Sequence, residues 1–329
     1  MPSIPVVSIV TPVWNGLPYL KECVESVLSQ EFQEWEMIIS DDGSNDGSRA
    51  YLDSLTDPRI KVYKQETNKG IFGNLNFIFS KVSAPISQFL FQDDYFISPT
   101  SLSTIVEYWK NSPPEVGFAR FNHSGPSPCL TIALEKKITP EILSTKKAPV
   151  WFFVFGCVAS NMSNVTLRTN MVEKLGGFRE DLPYAGDFEF WTRASRQFCM
   201  GFQKEKITYV RDHSGQASAH LNRKGELVKQ VEQVVNELYS NLALQHPKWK
   251  GILKLQGTLN YDSLLRDVAI RNWLLKGDKN YLNQLNRVNK TSAYTFGQPF
   301  LWLIYLSSLG GRLVRDVLAK FIVTKITDK

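Results

Sequence analysis

The chain is short of histidine and cysteine and has no long apolar run, and each shortage removes a class of protein. Its four cysteines, Cys23, Cys129, Cys157 and Cys199, lie far apart with no C-x-x-C pair. That spacing speaks against a zinc site or a disulfide framework and for reduced thiols. No uninterrupted apolar run reaches the roughly 18 residues that a membrane-spanning helix requires. The opening "MPSIPVVSIVTPVWNG" has no basic stretch and meets a proline early, so it does not read as a secretory leader and a cytoplasmic protein is expected. No G-x-G-x-x-G follows the first apolar run, which argues against a dinucleotide oxidoreductase, and no G-x-x-x-x-G-K phosphate loop is present. There is no internal repeat and no low-complexity tract.

What is there describes an ordinary globular protein. At 329 residues, 43% hydrophobic and 21% charged, the chain has core enough for one large domain or two smaller ones. A net charge of +6 suits an anionic ligand or an anionic surface without choosing between them. "VVSIVT" (6–11) is a short β-branched run and reads as a buried strand. Pro18 then suits a first helical turn, and Leu17, Leu20, Val24, Val27 and Leu28 follow at helical spacing. "EMIIS" (36–40), "IKVYK" (60–64) and "ISQFLF" (86–91) read as further strands, separated by helices that run to Leu55 and through Leu75, Ile78 and Phe79. Strands alternating with helices imply a parallel α/β sheet, whose ligands bind beyond the carboxyl ends of the strands. From 112 to 165 the pattern loosens, with apolar pieces such as "VWFFVFGCVAS", and a mixed-sheet continuation is expected. "GDFEFWTRASRQF" (186–198) reads as a helix, and beyond Gly225 the chain looks helical to its end. The expected division is a catalytic α/β domain over 1–222 and a helical region over 223–329.

Acidic residues collect at the expected strand ends. "QFLFQDDYFISP" places Asp93 and Asp94 side by side just past an apolar run. Adjacent carboxylates repel, and burying them is costly without a positive partner. They read either as ligands of a divalent cation gripping a diphosphate or as caps of the helix near Pro99. Asp41 and Asp42, in "SDDGSND", read as turn formers or as acceptors for a nucleobase or ribose. Asp187 is either a first-turn carboxylate favoured by the helix dipole or a general base aimed into the cleft. Glu189, two residues on, should face elsewhere. His213 is a candidate for contact with a metal or a phosphate oxygen, and Arg211 for contact with a phosphate.

Together these segments resemble the inverting family 2 glycosyltransferases of the GT-A fold, a Rossmann-like mixed sheet flanked by helices, over about residues 5 to 215. "VVSIVTPVWNGLPYLKECVESVLSQEFQEWEMIISDDGSNDGS" looks like that family's nucleotide-binding opening, "NKGIFGNLN" like its N-x-G segment, "FLFQDDYFISP" like its D-x-D metal motif and "GDFEFW" like its catalytic helix start. The resemblance implies that Thr11, Pro12 and Trp14 line the base pocket, with Asp42 near base or ribose and Asp41 in support. It adds Asn68, Gly70 and Asn74 to the nucleotide site. Asp187 becomes the catalytic base. Asp94 becomes the direct ligand of a Mg²⁺ or Mn²⁺ ion, with Asp93 near the ribose and His213 a late ligand, and Arg211 reaches phosphate. Two departures stand out: Phe91 replaces the first aspartate of the D-x-D pattern, and Gly186 replaces the acid that often precedes the catalytic aspartate. The implied reaction is metal-dependent transfer from a nucleotide diphosphate sugar, with UDP the family-level choice, to a hydroxyl of a saccharide or lipid-linked acceptor in cell-surface polysaccharide or glycolipid synthesis. The rivals are a nucleotidyltransferase, which would release pyrophosphate, and a non-catalytic nucleotide-sugar binding module. No nucleic acid partner is expected.

The C-terminal stretch "FGQPFLWLIYLSSLGGRLVRDVLAKFIVTKITDK" carries a short apolar helix, then Leu313, Val314, Val317, Leu318, Phe321 and Ile322 at helical spacing with Arg312, Arg315, Lys320 and Lys325 nearby. It reads either as a packed terminal helix or as an interfacial helix on the inner face of a cell membrane.

Overall fold

The computed structural model describes residues 4–126, 133–213, 226–297, 300–310 and 314–327. Cys129, the segment 214–225, Arg312 and Leu313 lie outside the described residues. The chain divides into two compact units, one of Met1–Thr131, Pro140–Ser144 and Ala159–Asp212, the other of Ile132–Thr139, Thr145–Val158 and His213–Lys329.

The elements run β1 (Val7–Val13), α1 (Leu17–Leu28), β2 (Trp35–Asp41), α2 (Ser48–Asp53), β3 (Ile60–Lys64), α3 (Gly70–Phe79), β4 (Ile86–Phe89), β5 (Tyr95–Phe96), α4 (Ser101–Asn111) and β6 (Val116–Ser124). Then come α5 (Ala133–Ile138), β7 (Ile142–Leu143), α6 (Ala148–Phe155), β8 (Val165–Arg168), α7 (Asn170–Lys174), α8 (Gly186–Ala194) and β9 (Cys199–Tyr209). The remainder is helical: α9 (Glu226–Gln245), α10 (Lys250–Gly257), α11 (Leu264–Lys276), α12 (Asn280–Thr291), α13 (Phe300–Ser307) and α14 (Arg315–Thr327).

All nine strands belong to one sheet in the first unit, ordered β3-β2-β1-β4-β8-β6-β9-β5, with β7 paired to β9. β1 pairs in parallel with both β2 and β4, and β2 in parallel with β3. β8 is antiparallel to β4 and β6, while β6 and β9 run parallel. The carboxyl ends of β1, β2, β3, β4, β6 and β9 therefore share one edge. The chain order reverses at β1, whose two neighbours are β2 and β4. In open α/β sheets such a reversal, beyond the carboxyl ends of the strands, is the usual ligand position.

The strands form because their apolar, β-branched residues are buried on both faces. Every residue of β1 and β2 is buried, as expected for a strand covered on both sides. α1 begins with Pro18 in its first turn and buries Leu20, Cys23, Val24 and Val27 against the sheet, leaving Leu17 and Leu28 exposed. One expectation changes in kind. The "VWFFVF" run is a helix, α6, in which Trp151, Phe152, Phe153 and Val154 are all buried. A run that is apolar all round carries no period from which to tell strand from helix. In the second unit, the Tyr261 hydroxyl lies within hydrogen-bond distance of the carbonyls of Phe152 (3.2 Å), which also accepts from Gly156 N (3.1 Å), and Phe153 (2.9 Å), at that helix end.

Candidate active site

The candidate residues gather around the carboxyl ends of β1, β2 and β4. Thr11 and Pro12 end β1 and are buried, and Trp14 follows, 55% exposed. The Gln92 side chain fastens this turn to the loop after β4: its Oε1 accepts from Trp14 N (2.8 Å) and its Nε2 donates to Trp14 O (3.0 Å).

Asp41 and Asp42 divide two jobs at the end of β2. Asp41 is fully buried, and its Oδ2 accepts from Arg49 Nε (2.7 Å) and Ser44 N (3.2 Å), so it shapes the loop. Asp42 Oδ1 accepts from Lys69 N (2.8 Å), and burial raises its pKa against the pull of the Lys69 and Gly70 backbone N–H groups. Asn68 Oδ1 accepts from Gly70 N (2.9 Å), closing a turn in which Gly70 adopts φ +74°, a conformation that favours glycine. Asn74, in the first half of α3, donates from Nδ2 to Ser40 O (2.9 Å). Among the described residues, Thr11 Oγ1, Asp41 Oδ1 and Asn74 Oδ1 are buried without hydrogen-bond partners. These atoms, on β1, β2 and α3, could pair with a ligand bearing polar groups, although similar atoms also occur elsewhere among the described residues.

Asp93 and Asp94 do not cap α4, whose first residue is Ser101 and whose N-cap, Thr100, has no side-chain cap bond. They sit in the turn before β5 instead. Asp94 is 2% exposed, and its pKa is pushed up to about 7, first by burial and then by the neighbouring Asp93 charge. Its Oδ1 accepts from Arg211 N (3.1 Å). The Arg211 guanidinium donates to the Asp93 carbonyl and to Glu22, and lies 4.7 Å from the Tyr95 ring centre and 5.1 Å from that of Tyr19. Tyr95 in turn stacks on Tyr209 across the β5–β9 pair, at 5.1 Å and 13°. Ser163 Oγ accepts from Phe91 N (3.0 Å) and its side chain also bonds Asp94. Arg211 thus brings positive charge beside the carboxylate pair without lifting the strain on Asp94.

Asp187 is in the first turn of α8. Its Oδ1 accepts from Phe188 N (2.7 Å), and burial raises its pKa with no neighbouring charge among the causes. The aromatic layer beneath fixes α8. Phe190 stacks on Phe178 at 4.0 Å, and Trp191 packs edge-on against Phe89, the last residue of β4, at 6.0 Å. Glu189 faces away from Asp187, as expected. It forms a two-pronged pair with Arg193 (2.8 and 2.9 Å), and Arg193 also donates to the carbonyls of Leu175 and Gly177. The Gly186 departure has a steric cause: a Cβ there would lie 2.6 Å from the Phe72 ring, so no acid fits while Phe72 keeps its place.

The structure brings Thr11, Pro12, Asp41, Asp42, Asn68, Gly70, Asn74, Asp93, Asp94, Asp187 and Arg211 into the first unit, on the loops and helix starts that serve one sheet edge. His213 falls in the second unit, partly buried in the loop after β9. Among the described residues, no three His, Cys, Asp or Glu side chains gather into a metal-holding group. The adjacent carboxylates of Asp93 and Asp94 still fit a hard divalent cation, which commonly takes one or two protein carboxylates and completes its shell with phosphate and water. Burial first and the Asp93 charge second hold the Asp94 pKa up, and a cation beside the pair would lower it. Reading the sequence missed Gln92, Ser163, Glu22 and Tyr19, which act through tertiary contacts and leave no local signal. It also passed over Arg193, although Glu189-x-x-x-Arg193 has the spacing of a helical ion pair.

Residues 8–163 match the family model described as Glycosyl transferase family 2. A Haemophilus influenzae protein described as an uncharacterized glycosyltransferase is 25% identical over 255 residues, covering 73% of this chain and 76% of that one. The fold is similar to that of S. aureus TarS 1–349 in complex with UDP-GlcNAc, with TM-score 0.65 and 15% identity over 98% of this chain and 90% of that one. It is also similar to the mannosyltransferase PcManGT from Pyrobaculum calidifontis in complex with GDP-Man and Mn²⁺, with TM-score 0.51 and 14% identity over 99% and 89% of the two chains. The family match ends before Asp187.

Proposed function

We propose that this chain, whose residues 8–163 match the glycosyl transferase family 2 model and whose fold is that of GT-A structures, is a family 2 glycosyltransferase that transfers a sugar, with inversion, from a UDP-sugar to an acceptor hydroxyl, using Asp187 as general base. The observation that carries this reading is Asp187 itself: a half-buried carboxylate in the first turn of a helix, its pKa raised by desolvation with no neighbouring charge among the causes. Such a group is poised to accept a proton.

The chain's own residues then divide the work. The buried acceptors around β1, β2 and α3 receive the nucleoside, and Asp42 is at hand for base or ribose. Asp94 and Asp93 would hold a Mg²⁺ or Mn²⁺ ion, which when bound supplies neutralising charge to the donor diphosphate. Once the donor binds, Arg211 can exchange its Asp93 and Glu22 contacts for phosphate oxygens. Asp187 takes the acceptor hydroxyl proton as that oxygen forms its bond to the anomeric carbon. The sugar–phosphate bond breaks on the opposite face, and its electron pair leaves with the diphosphate. Two neighbours support the donor class without fixing the nucleotide, since TarS was solved with UDP-GlcNAc and PcManGT with GDP-Man and Mn²⁺. The acceptor class is a saccharide or lipid-linked saccharide, and the role is synthesis of a cell-surface polysaccharide or glycolipid.

A panel of UDP- and GDP-sugars with Mn²⁺ tests the reading. Release of UDP with inverted anomeric configuration in the product is expected, and is read by NMR. Release of pyrophosphate, or retention of configuration, would overturn it.

A further inference from the structure

Charge and exposed apolar surface are concentrated together in one part of this chain. Residues 271–329 hold ten of its 38 Lys and Arg but only three of its 32 Asp and Glu. The rest of the chain carries 28 basic against 29 acidic side chains, so the whole formal excess of +6 comes from this stretch. Of the eighteen large apolar side chains described as exposed, ten lie in the same stretch.

They form ordered groups. Trp273, Leu274 and Leu275 end α11, with Leu275 82% exposed, beside Arg271, Lys276 and Lys279. Lys279 Nζ lies 4.8 Å over the Trp273 ring, so cation and apolar surface adjoin. On α13, Phe300, Leu303 and Leu306 recur every third residue, 62–66% exposed, on one face. The other side of that helix is docked onto α11: the Tyr305 hydroxyl donates to Asp267 Oδ1 (3.3 Å), and the Arg266 guanidinium lies 4.6 Å over the Trp302 ring. α14 buries Ala319, Ile322, Val323 and Ile326 and exposes Val317 and Phe321 beside Lys320 and Lys325. A single exposed leucine needs no explanation, but clustered ones do.

We propose that the exposed faces of α11, α13 and α14 form a docking surface for an anionic lipid bilayer, with the apolar side chains entering the acyl boundary and the Lys and Arg side chains meeting headgroup phosphates. No helix among the described residues is long and apolar enough to cross a membrane, so the surface lies on the bilayer. A second copy is disfavoured as occupant because it would oppose two strongly basic stretches. The proposal makes no use of the reaction assigned above and is read without turnover.

The test is co-sedimentation of the full chain with phosphatidylcholine vesicles, with and without phosphatidylglycerol. The account expects pelleting with the anionic vesicles only. It also expects partitioning to fall at least about tenfold in Leu303→Asp/Leu306→Asp and in Lys276→Glu/Lys279→Glu. Far-UV circular dichroism and thermal unfolding, unchanged in both variants, show that the chain remains folded. Full-length protein left in the supernatant at low salt overturns the proposal, as does equal pelleting on both vesicle types. So does a concentration-dependent dimer that forms without lipid and is abolished by Leu303→Asp/Leu306→Asp, because a second copy then covers the face.

Discussion

Two carboxylates of one sheet edge, Asp94 buried and Asp187 half-buried, have been given opposite surroundings. Asp94, past the end of β4, has a like charge beside it, an arginine backbone N–H on its oxygen and a guanidinium around its turn. Asp187, at the start of α8, has burial and a backbone N–H alone. Burial raises both, but only Asp94 sits in a field made of charges. Clustered charge prepares a place for a cation and a diphosphate. A half-buried carboxylate at a helix start, its pKa raised by desolvation, is suited to take one proton. The difference supports the proposed roles beyond what the motifs offer, because "QDD" and "GDF" each have an ordinary capping reading.

The largest way to break the comparison is Asp187→Asn, which keeps shape and removes basicity. Turnover should fall about 10²- to 10⁴-fold, the usual worth of a positioned general base, measured by UDP release with a saturating donor. Next is Asp94→Ala. The gain in UDP affinity that Mn²⁺ confers should shrink by about 10- to 100-fold, as expected for a lost charge-assisted partner, by calorimetry with Mn²⁺ or EDTA. Gly186→Ala pushes a methyl toward the Phe72 ring. It should cost about 1–3 kcal/mol in denaturant unfolding, and Phe72→Leu should recover part of that loss. Glu189→Gln weakens the pair that ties α8 to the 175–177 turn through Arg193. Its expected cost is about 1–2 kcal/mol, with kcat reduced more than KM because Asp187 loses its aim. A final sharpening is the pH profile. Asp187 works ionised and its pKa is raised, so turnover should rise with pH through that pKa and level off above it. Asp187→Glu, if active, should shift that limb and not remove it.

Much of this arrangement could be read from the chain. β1, β2 and β4 announce themselves as β-branched or aromatic runs, and each ends in a polar turn where Thr11, Asp41, Asp42, Asp93 or Asp94 falls. Such patterns are local, and local order fixes which residues reach the sheet edge. The contents of the site beyond that are tertiary. Arg211 lies 117 positions from Asp94, and nothing in "VRDHSGQ" marks its side chain as the partner of Asp93, Glu22, Tyr19 and Tyr95. Gly186 looks like a lost acid in the sequence. In the fold it is the only residue type that leaves room for Phe72, itself 114 positions away. α6 failed for a different reason: with every side chain apolar, its sequence has no polar face to reveal the helical period.

The account stands most directly on whether the two carboxylates divide binding from chemistry. UDP affinity with Mn²⁺ and turnover should be measured on the same preparations of wild type, Asp94→Asn and Asp187→Asn. The prediction is a crossed result, in which Asp94→Asn loses affinity while Asp187→Asn binds UDP within about twofold of wild type and loses turnover. If Asp187→Asn turns over near the wild-type rate, or loses affinity and turnover in step, Asp187 is not the base and the division fails.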